Sequence, residues 1–189
     1  ALPEILRRHG PLPAAHVKDG EPIQPGRVYV APPDHHVLLR SGHVHLSRGP
    51  RENGHRPAID PLFRSAAREY ATRVIGLVLS GALDDGTAGL LAIKSRGGIT
   101  VVQDPADALY PGMPGNALAH VQVDHVAAAS SIGKLLARLI ANLDEPPGVP
   151  APSDTQVEVE MEGLSLAFEG SHPGRPSGFS CPDCDGVLW

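Results

Sequence analysis

The chain has 189 residues, 41% of them hydrophobic and 20% charged, with a formal net charge of −5. These values fit one globular domain with an appendage. No apolar run reaches the roughly 18 residues of a membrane-spanning helix, and no signal-peptide pattern opens the chain. Only Cys181 and Cys184 are present, which excludes a disulfide framework and fits a cytoplasmic protein. The charge is unevenly spread. Residues 1–140 carry 15 Lys and Arg against 12 Asp and Glu, too weakly basic to suggest nucleic acid as a partner. Between Arg138 and Arg175 there is no Lys or Arg, while Asp144, Glu145, Asp154, Glu158, Glu160, Glu162 and Glu169 accumulate. That stretch reads as a solvated acidic linker.

In chain order, residues 1–9 read as the end of a helix, with Leu2, Ile5 and Leu6 on one face and Gly10 stopping it. Because the text opens on Ala1 in helix-like sequence, the natural protein is expected to begin earlier. Residues 27–31 form a short strand, and Pro32-Pro33-Asp34 turns the chain. His36–Arg40, Ser41-Gly42 and His43–Ser47 then predict a β-hairpin, with Val44 and Leu46 facing inward and His43 and His45 facing water.

From residue 60 onward helices and strands alternate. Asp60 is placed to cap a helix that takes Pro61 in its first turn and lays Leu62, Phe63, Ala66, Ala67 and Tyr70 on its apolar side. Val74–Leu79 is a continuous apolar run of buried-strand length. The loop 80–86 leads into a helix through Leu90, Leu91 and Ile93 that stops at Gly97-Gly98. Ile99–Val102 is the next buried strand, and a last helix runs from near Ser130 through Leu135, Leu136, Leu139 and Ile140. The expected fold class is therefore α/β, a doubly wound, mostly parallel sheet with a β-hairpin and a C-terminal tail. Residues 143–177 read as a Pro-rich acidic linker, within which 156–168 alternate weakly like a strand.

The loop 80–86 (Ser-Gly-Ala-Leu-Asp-Asp-Gly) lies where open α/β sheets bind their ligands, beyond the carboxyl ends of the strands. A carboxylate there can accept the Nδ1 proton of a histidine and stabilise the imidazolium formed in acyl transfer. By spacing alone, the plainer role for Asp84 or Asp85 is to cap the following helix. A phosphate-binding turn through Gly81, Gly86 and Gly89 is weaker, since neither dinucleotide nor Walker spacing is present.

Four blocks carry a resemblance. They are Val28–His36 (VYVAPPDHH), His55–Phe63 (HRPAIDPLF), Leu79–Gly89 (LSGALDDGTAG) and Ala108–Pro114 (ALYPGMP). In order and spacing they resemble the catalytic domain of the chemotaxis-type protein-glutamate methylesterases over residues 1–142. The resemblance implies an α/β serine hydrolase whose first strands are missing from this sequence. Its implied chemistry is hydrolysis of glutamate γ-methyl esters on chemoreceptors, releasing methanol by a Ser-His-Asp mechanism without a catalytic cofactor. Asp85, the residue directly before the glycine of the turn, corresponds to the family's triad acid; Asp84 does not.

The family's Gly-x-Ser-x-Gly-Gly nucleophile turn and strand-end histidine both precede the position of Leu2–Leu6, and neither pattern occurs in these residues. Ser80 lacks the glycine flanks of a nucleophile turn, and none of the ten histidines matches the family base by context. His35 and His36 read as exposed turn residues, against loop positions near the site. Arg56 invites a substrate-binding role toward an acidic receptor segment, against pairing within its own loop. The resemblance makes Met113 a pocket-wall residue, against a plain core gap-filler.

Residues 178–189 resemble the first half of a zinc knuckle. Cys181 and Cys184 supply two ligands, and structural zinc would need two more from the parent protein. The implied partners are a methylated chemoreceptor segment and a receiver domain or other regulator, with no membrane insertion. Two alternatives stay open: a catalytically inactive α/β signalling adaptor, or a receptor glutamine deamidase on the same scaffold.

Overall fold

The computed structural model describes residues 2–141. In chain order the elements are α1 (Leu2–His9), β1 (Ala14–His16), β2 (Val28–Val30), β3 (His36–Arg40), β4 (His43–Ser47), α2 (Ile59–Tyr70), β5 (Ile75–Val78), α3 (Thr87–Ser95), β6 (Ile99–Gln103), α4 (Gly112–His120), β7 (His125–Ala127) and α5 (Ala129–Ala141). The linker at 143–177 and the cysteine pair lie outside the described residues, as does the strand expected at 156–168.

Strands β5, β6 and β7 form a parallel sheet in that order, with Ile75 opposite Ile99 and Val101 opposite His125. Parallel neighbours need crossovers, and α3 and α4 supply them. Every second residue of β5 and β6 faces these helices, so Val78 and Val102 meet Leu90, Ala117 and Val121 in one buried cluster. Phe63 of α2, Met113 and Val123 close its rim. Helices α2 and α3 approach so closely that a Cβ on Gly89 would fall 2.4 Å from the Cβ of Phe63. Glycine is required there, and the contact brings the two helix starts side by side.

A second cluster lies under the hairpin. Val17, Val37 and Val44 are buried, with Tyr29, Leu46 and Leu62 packed around them. Strands β1 and β2 pair in parallel, and β3 and β4 pair antiparallel through Ser41 and Gly42. Both turn residues have positive φ (50° and 73°), the backbone a two-residue hairpin needs to match strand twist. The hairpin is pinned to α2 by Leu39 N–H to Ser65 Oγ at 3.0 Å and Gly42 N–H to Glu69 Oε1 at 3.2 Å.

The α/β architecture is the expected one, with differences in detail. Strands β1 and β7 have three residues each, too few for a period-2 pattern to register. Helix α4 contains Pro114 and Gly115, both poor helix formers, and is held instead by burying Pro114 and Ala117. The apolar face of α1 is present, yet Leu2 and Ile5 are more than half exposed and only Pro3 is buried. Two readings are corrected. Asp60 does not cap its own helix, because α2 begins one residue earlier behind Ala58, whose own side chain offers no cap. His36 is no exposed turn residue either: it opens β3 and is 3% exposed.

Candidate active site

The loop after β5 is shaped from outside. Ser80 N–H donates to Gln103 Oε1 at 2.8 Å, and Ser80 Oγ accepts from Tyr110 N–H at 2.9 Å. Gly81 N–H donates to Tyr110 O, and Met113 N–H returns a bond to Gly81 O at 2.8 Å. Asn116 Nδ2 donates to Leu83 O at 2.7 Å, holding a residue whose φ is +64°. A Cβ on Gly81 would fall 2.1 Å from Met113 Sδ, so this glycine lets the methionine lie against the loop backbone. The stretch 110–116 is thus the template on which the loop is cast. Ser80 serves that template through its hydroxyl.

At the end of the loop the two neighbouring aspartates separate. Asp84 is exposed, whereas Asp85 is 7% exposed and points at the start of α2. Its Oδ2 accepts from Ile59 N–H at 2.8 Å, while Oδ1 accepts from Ile59 N–H at 3.0 Å and Asp60 N–H at 3.3 Å. The amide of Asn53 also donates to Oδ1, at 3.3 Å. Capping was a sound reading of the chemistry but named the wrong helix. Asp85 caps α2, and α3 begins behind Gly86 without a side-chain cap. The α3 donor Gly89 N–H goes to Asp60 Oδ1 at 2.6 Å. The first turn of α2 is thus satisfied by a carboxylate from the loop that leads into α3, and that of α3 by a carboxylate of α2.

No Lys or Arg among the described residues forms an ion pair with Asp85. Its charge rests on neutral N–H donors and on the positive end of the α2 dipole. Asp60, 4% exposed, is pushed above the ordinary carboxylate range mainly by burial. The nearby charge of Asp85 adds to that shift, and the Gly89 and Asn53 donors oppose it.

A rigid loop frames the pair. Asn53 and Gly54, at φ 51° and 76°, make a tight turn closed by reciprocal bonds between Glu52 and His55 of 2.9 and 3.2 Å. His36 Nε2 meets Pro50 O at 2.9 Å, so that nitrogen must carry the proton, and Nδ1 accepts from Ala58 N–H at 3.2 Å. Arg64 grips both carboxylate oxygens of Glu52 at 2.7 and 2.8 Å. Arg56 donates to Asp34 Oδ1 at 2.7 and 3.0 Å and to the carbonyls of Arg48 and Gly49 at 3.2 and 2.9 Å. Arg56 thus ties its own loop, through Arg48 and Gly49, to Asp34 in the turn before β3. The structure thus brings Asp85 and Met113 to one loop and sets Arg56 in the supporting frame. His35 is engaged by Pro33 O and Arg48. Cys181 and Cys184 lie outside the described residues.

Sequence reading missed Asn53 and the true partner of Asp60. An Asn-Gly pair is a turn signal, but nothing local says that the amide reaches a carboxylate 32 positions away.

The class these features define is an α/β domain with a buried carboxylate, unpaired with any Lys or Arg among the described residues, beyond the carboxyl end of a parallel strand. The family model for the CheB methylesterase matches residues 1–136. A putative protein-glutamate methylesterase/protein-glutamine glutaminase of Leptospira interrogans is 40% identical over 139 residues, covering 73% of this chain and 72% of that protein. The corresponding Ralstonia nicotianae protein is 43% identical over 128 residues, covering 65% of this chain but 34% of its own length. The CheB methylesterase catalytic domain of Thermotoga maritima superposes with a TM-score of 0.70 at 32% identity, over 73% of this chain and 75% of that one. The chain belongs to the CheB methylesterase family, whose members are carboxylic ester hydrolases.

Proposed function

We propose that this chain supplies the acid of a Ser-His-Asp triad that hydrolyses glutamate γ-methyl esters on chemoreceptors, with Ser and His contributed by polypeptide outside it. The observation that carries the reading is Asp85, buried beyond a parallel strand and held, among the described residues, by neutral donors. A carboxylate fixed in this way orients a histidine through Nδ1–H and stabilises the imidazolium that forms when the serine is deprotonated. The serine attacks the ester carbonyl, the imidazolium protonates the departing methoxide to give methanol, and water then hydrolyses the acyl-enzyme to release the glutamate acid. In this reading Met113 lines the wall beside the loop, and Arg56 stiffens the frame that faces α2.

The partner is a methylated receptor segment, with a receiver domain or another regulator controlling access, and the compartment is the cytoplasm. No helix among the described residues is long and apolar enough to cross a membrane. The family relationship favours an enzyme over a signalling adaptor.

The test is methanol release from a methylated receptor fragment by the full-length natural protein, by its Asp85→Asn variant, and by residues 1–189 alone. Turnover by the first only is expected. An Asp85→Asn variant with undiminished turnover would remove Asp85 from the mechanism, and activity in residues 1–189 would show the nucleophile to lie within them.

A further inference from the structure

The carboxylate of Asp85 is loaded unequally. Oδ1 takes three donors, from Ile59, Asp60 and Asn53, whereas Oδ2 takes one, from Ile59. Two of the three donor groups are main chain, fixed once α2 is formed. The Asn53 amide is the only side-chain donor to Asp85 among the described residues. Resting on the triad reading above, we propose that Asn53 is a positioning residue: it draws Oδ1 toward the 52–55 turn and so presents Oδ2 to the imidazole.

The geometry of Asn53 supports a dedicated role. Its Nδ2 carries two protons, and both have carboxylate acceptors, Asp60 Oδ2 at 3.1 Å and Asp85 Oδ1 at 3.3 Å. Turning the amide over would aim its oxygen at two carboxylates, so one orientation is enforced. The backbone is enforced as well, since φ of 51° belongs to the left-handed region that Asn and Gly tolerate. Asp60 anchors the other side of the bridge. Its Oδ1 is tied to Gly89 N–H at the start of α3, the helix that follows directly on Asp85-Gly86. Asn53 therefore spans both carboxylates at the point where the two helix starts cross, and a shift at either helix would reach Asp85 through this amide.

Two substitutions separate positioning from folding. Asn53→Gly keeps the left-handed turn and deletes the amide. Asn53→Asp keeps the shape and replaces the two-proton donor by a carboxyl facing Asp60 and Asp85, with Arg64 the cation acting on Asp60. In the full-length natural protein, Asn53→Gly is expected to lower kcat for methanol release roughly tenfold or more, as misplacement of a reacting group does. KM should stay within about twofold, because no receptor contact is lost. Asn53→Asp is expected to be slower still near pH 8. Its kcat relative to wild type should rise as pH falls and the added carboxyl regains a proton to donate.

Wild-type kcat in Asn53→Gly would overturn the proposal while leaving the triad reading intact. If Asn53→Gly proves unfolded at the assay temperature, Asn53→Asp decides, and a relative kcat that does not change with pH overturns it. A wild-type protein that releases no methanol would sink the triad reading first and the role of Asn53 with it.

Discussion

Two carboxylates stand at opposite ends of the β5–β6–β7 sheet, and their partners differ in kind. Asp85, beyond the carboxyl end of β5, is surrounded by neutral N–H donors. Asp124, at the amino end, accepts from Thr100 N–H and Thr100 Oγ1, both at 2.9 Å, and from the ammonium of Lys94. The first carboxylate is positioned without being neutralised, so its field remains available to a cation that forms during a reaction. The second has its cation in place and closes the corner between β6 and β7. The two thus differ both in the end of the sheet they occupy and in the identity of their donors, neutral at Asp85 and partly cationic at Asp124.

That contrast can be broken in graded steps. Asp85→Asn should cost about 10⁴-fold in kcat, the scale seen when a triad acid is amidated. Its melting temperature should hardly change, since asparagine still caps α2. Kinetics and thermal melts on the same preparation would show it, and a large melting shift would assign Asp85 to the structural class. Asp124→Ala should do the reverse. It leaves the N–H of Thr100, a fully buried residue, without its side-chain acceptor. The expected loss is about 1–3 kcal/mol in urea unfolding, with kcat of the folded enzyme retained.

Lys94→Met tests how much of that corner is ionic. With both side chains about 30% exposed, the loss should stay below about 1 kcal/mol and shrink further as added salt screens the pair in the wild type.

The smallest effect is one of pH, and the two ends carry opposite signs. Burial alone would raise Asp124, but the Lys94 and Thr100 donors outweigh it and hold the group below the ordinary carboxylate range. Its contribution is therefore present above the unfolded pKa and lost as pH falls through the lowered folded one. Asp60 is raised, so its contribution is fully present below the unfolded pKa and lost as pH rises through the folded one. Asp60→Asn should abolish that second decline and Asp124→Asn the first. Urea midpoints between pH 3 and 8 would separate them, and parallel curves for the two variants would contradict the assignment.

Much of this was legible in the sequence because it is local or in fixed order. The 74–79 run, the two-residue turn at Ser41-Gly42 and the helix through Leu90 and Ile93 each announce themselves within one element. Spacing alone leaves Asp84 and Asp85 equivalent; the family resemblance singles out Asp85 as the residue before the glycine of the turn, and the structure buries Asp85 and exposes Asp84. The illegible part joins residues that are far apart. His36 looked like a turn residue until Pro50 and Ala58 were brought to its two nitrogens. Asp60 looked like a cap for its own helix and caps another, 29 positions on.

The sequence by itself determined the family, the α/β alternation and the aspartate to watch, because those are written in residue type, order and spacing. Only the tertiary structure decided which helix that aspartate caps, that Asp60 and Asn53 stand beside it, and that no Lys or Arg among the described residues pairs with it. Those are facts about which donors meet when α2 crosses α3, and the close approach at Gly89 that sets the crossing exists only once the chain is packed.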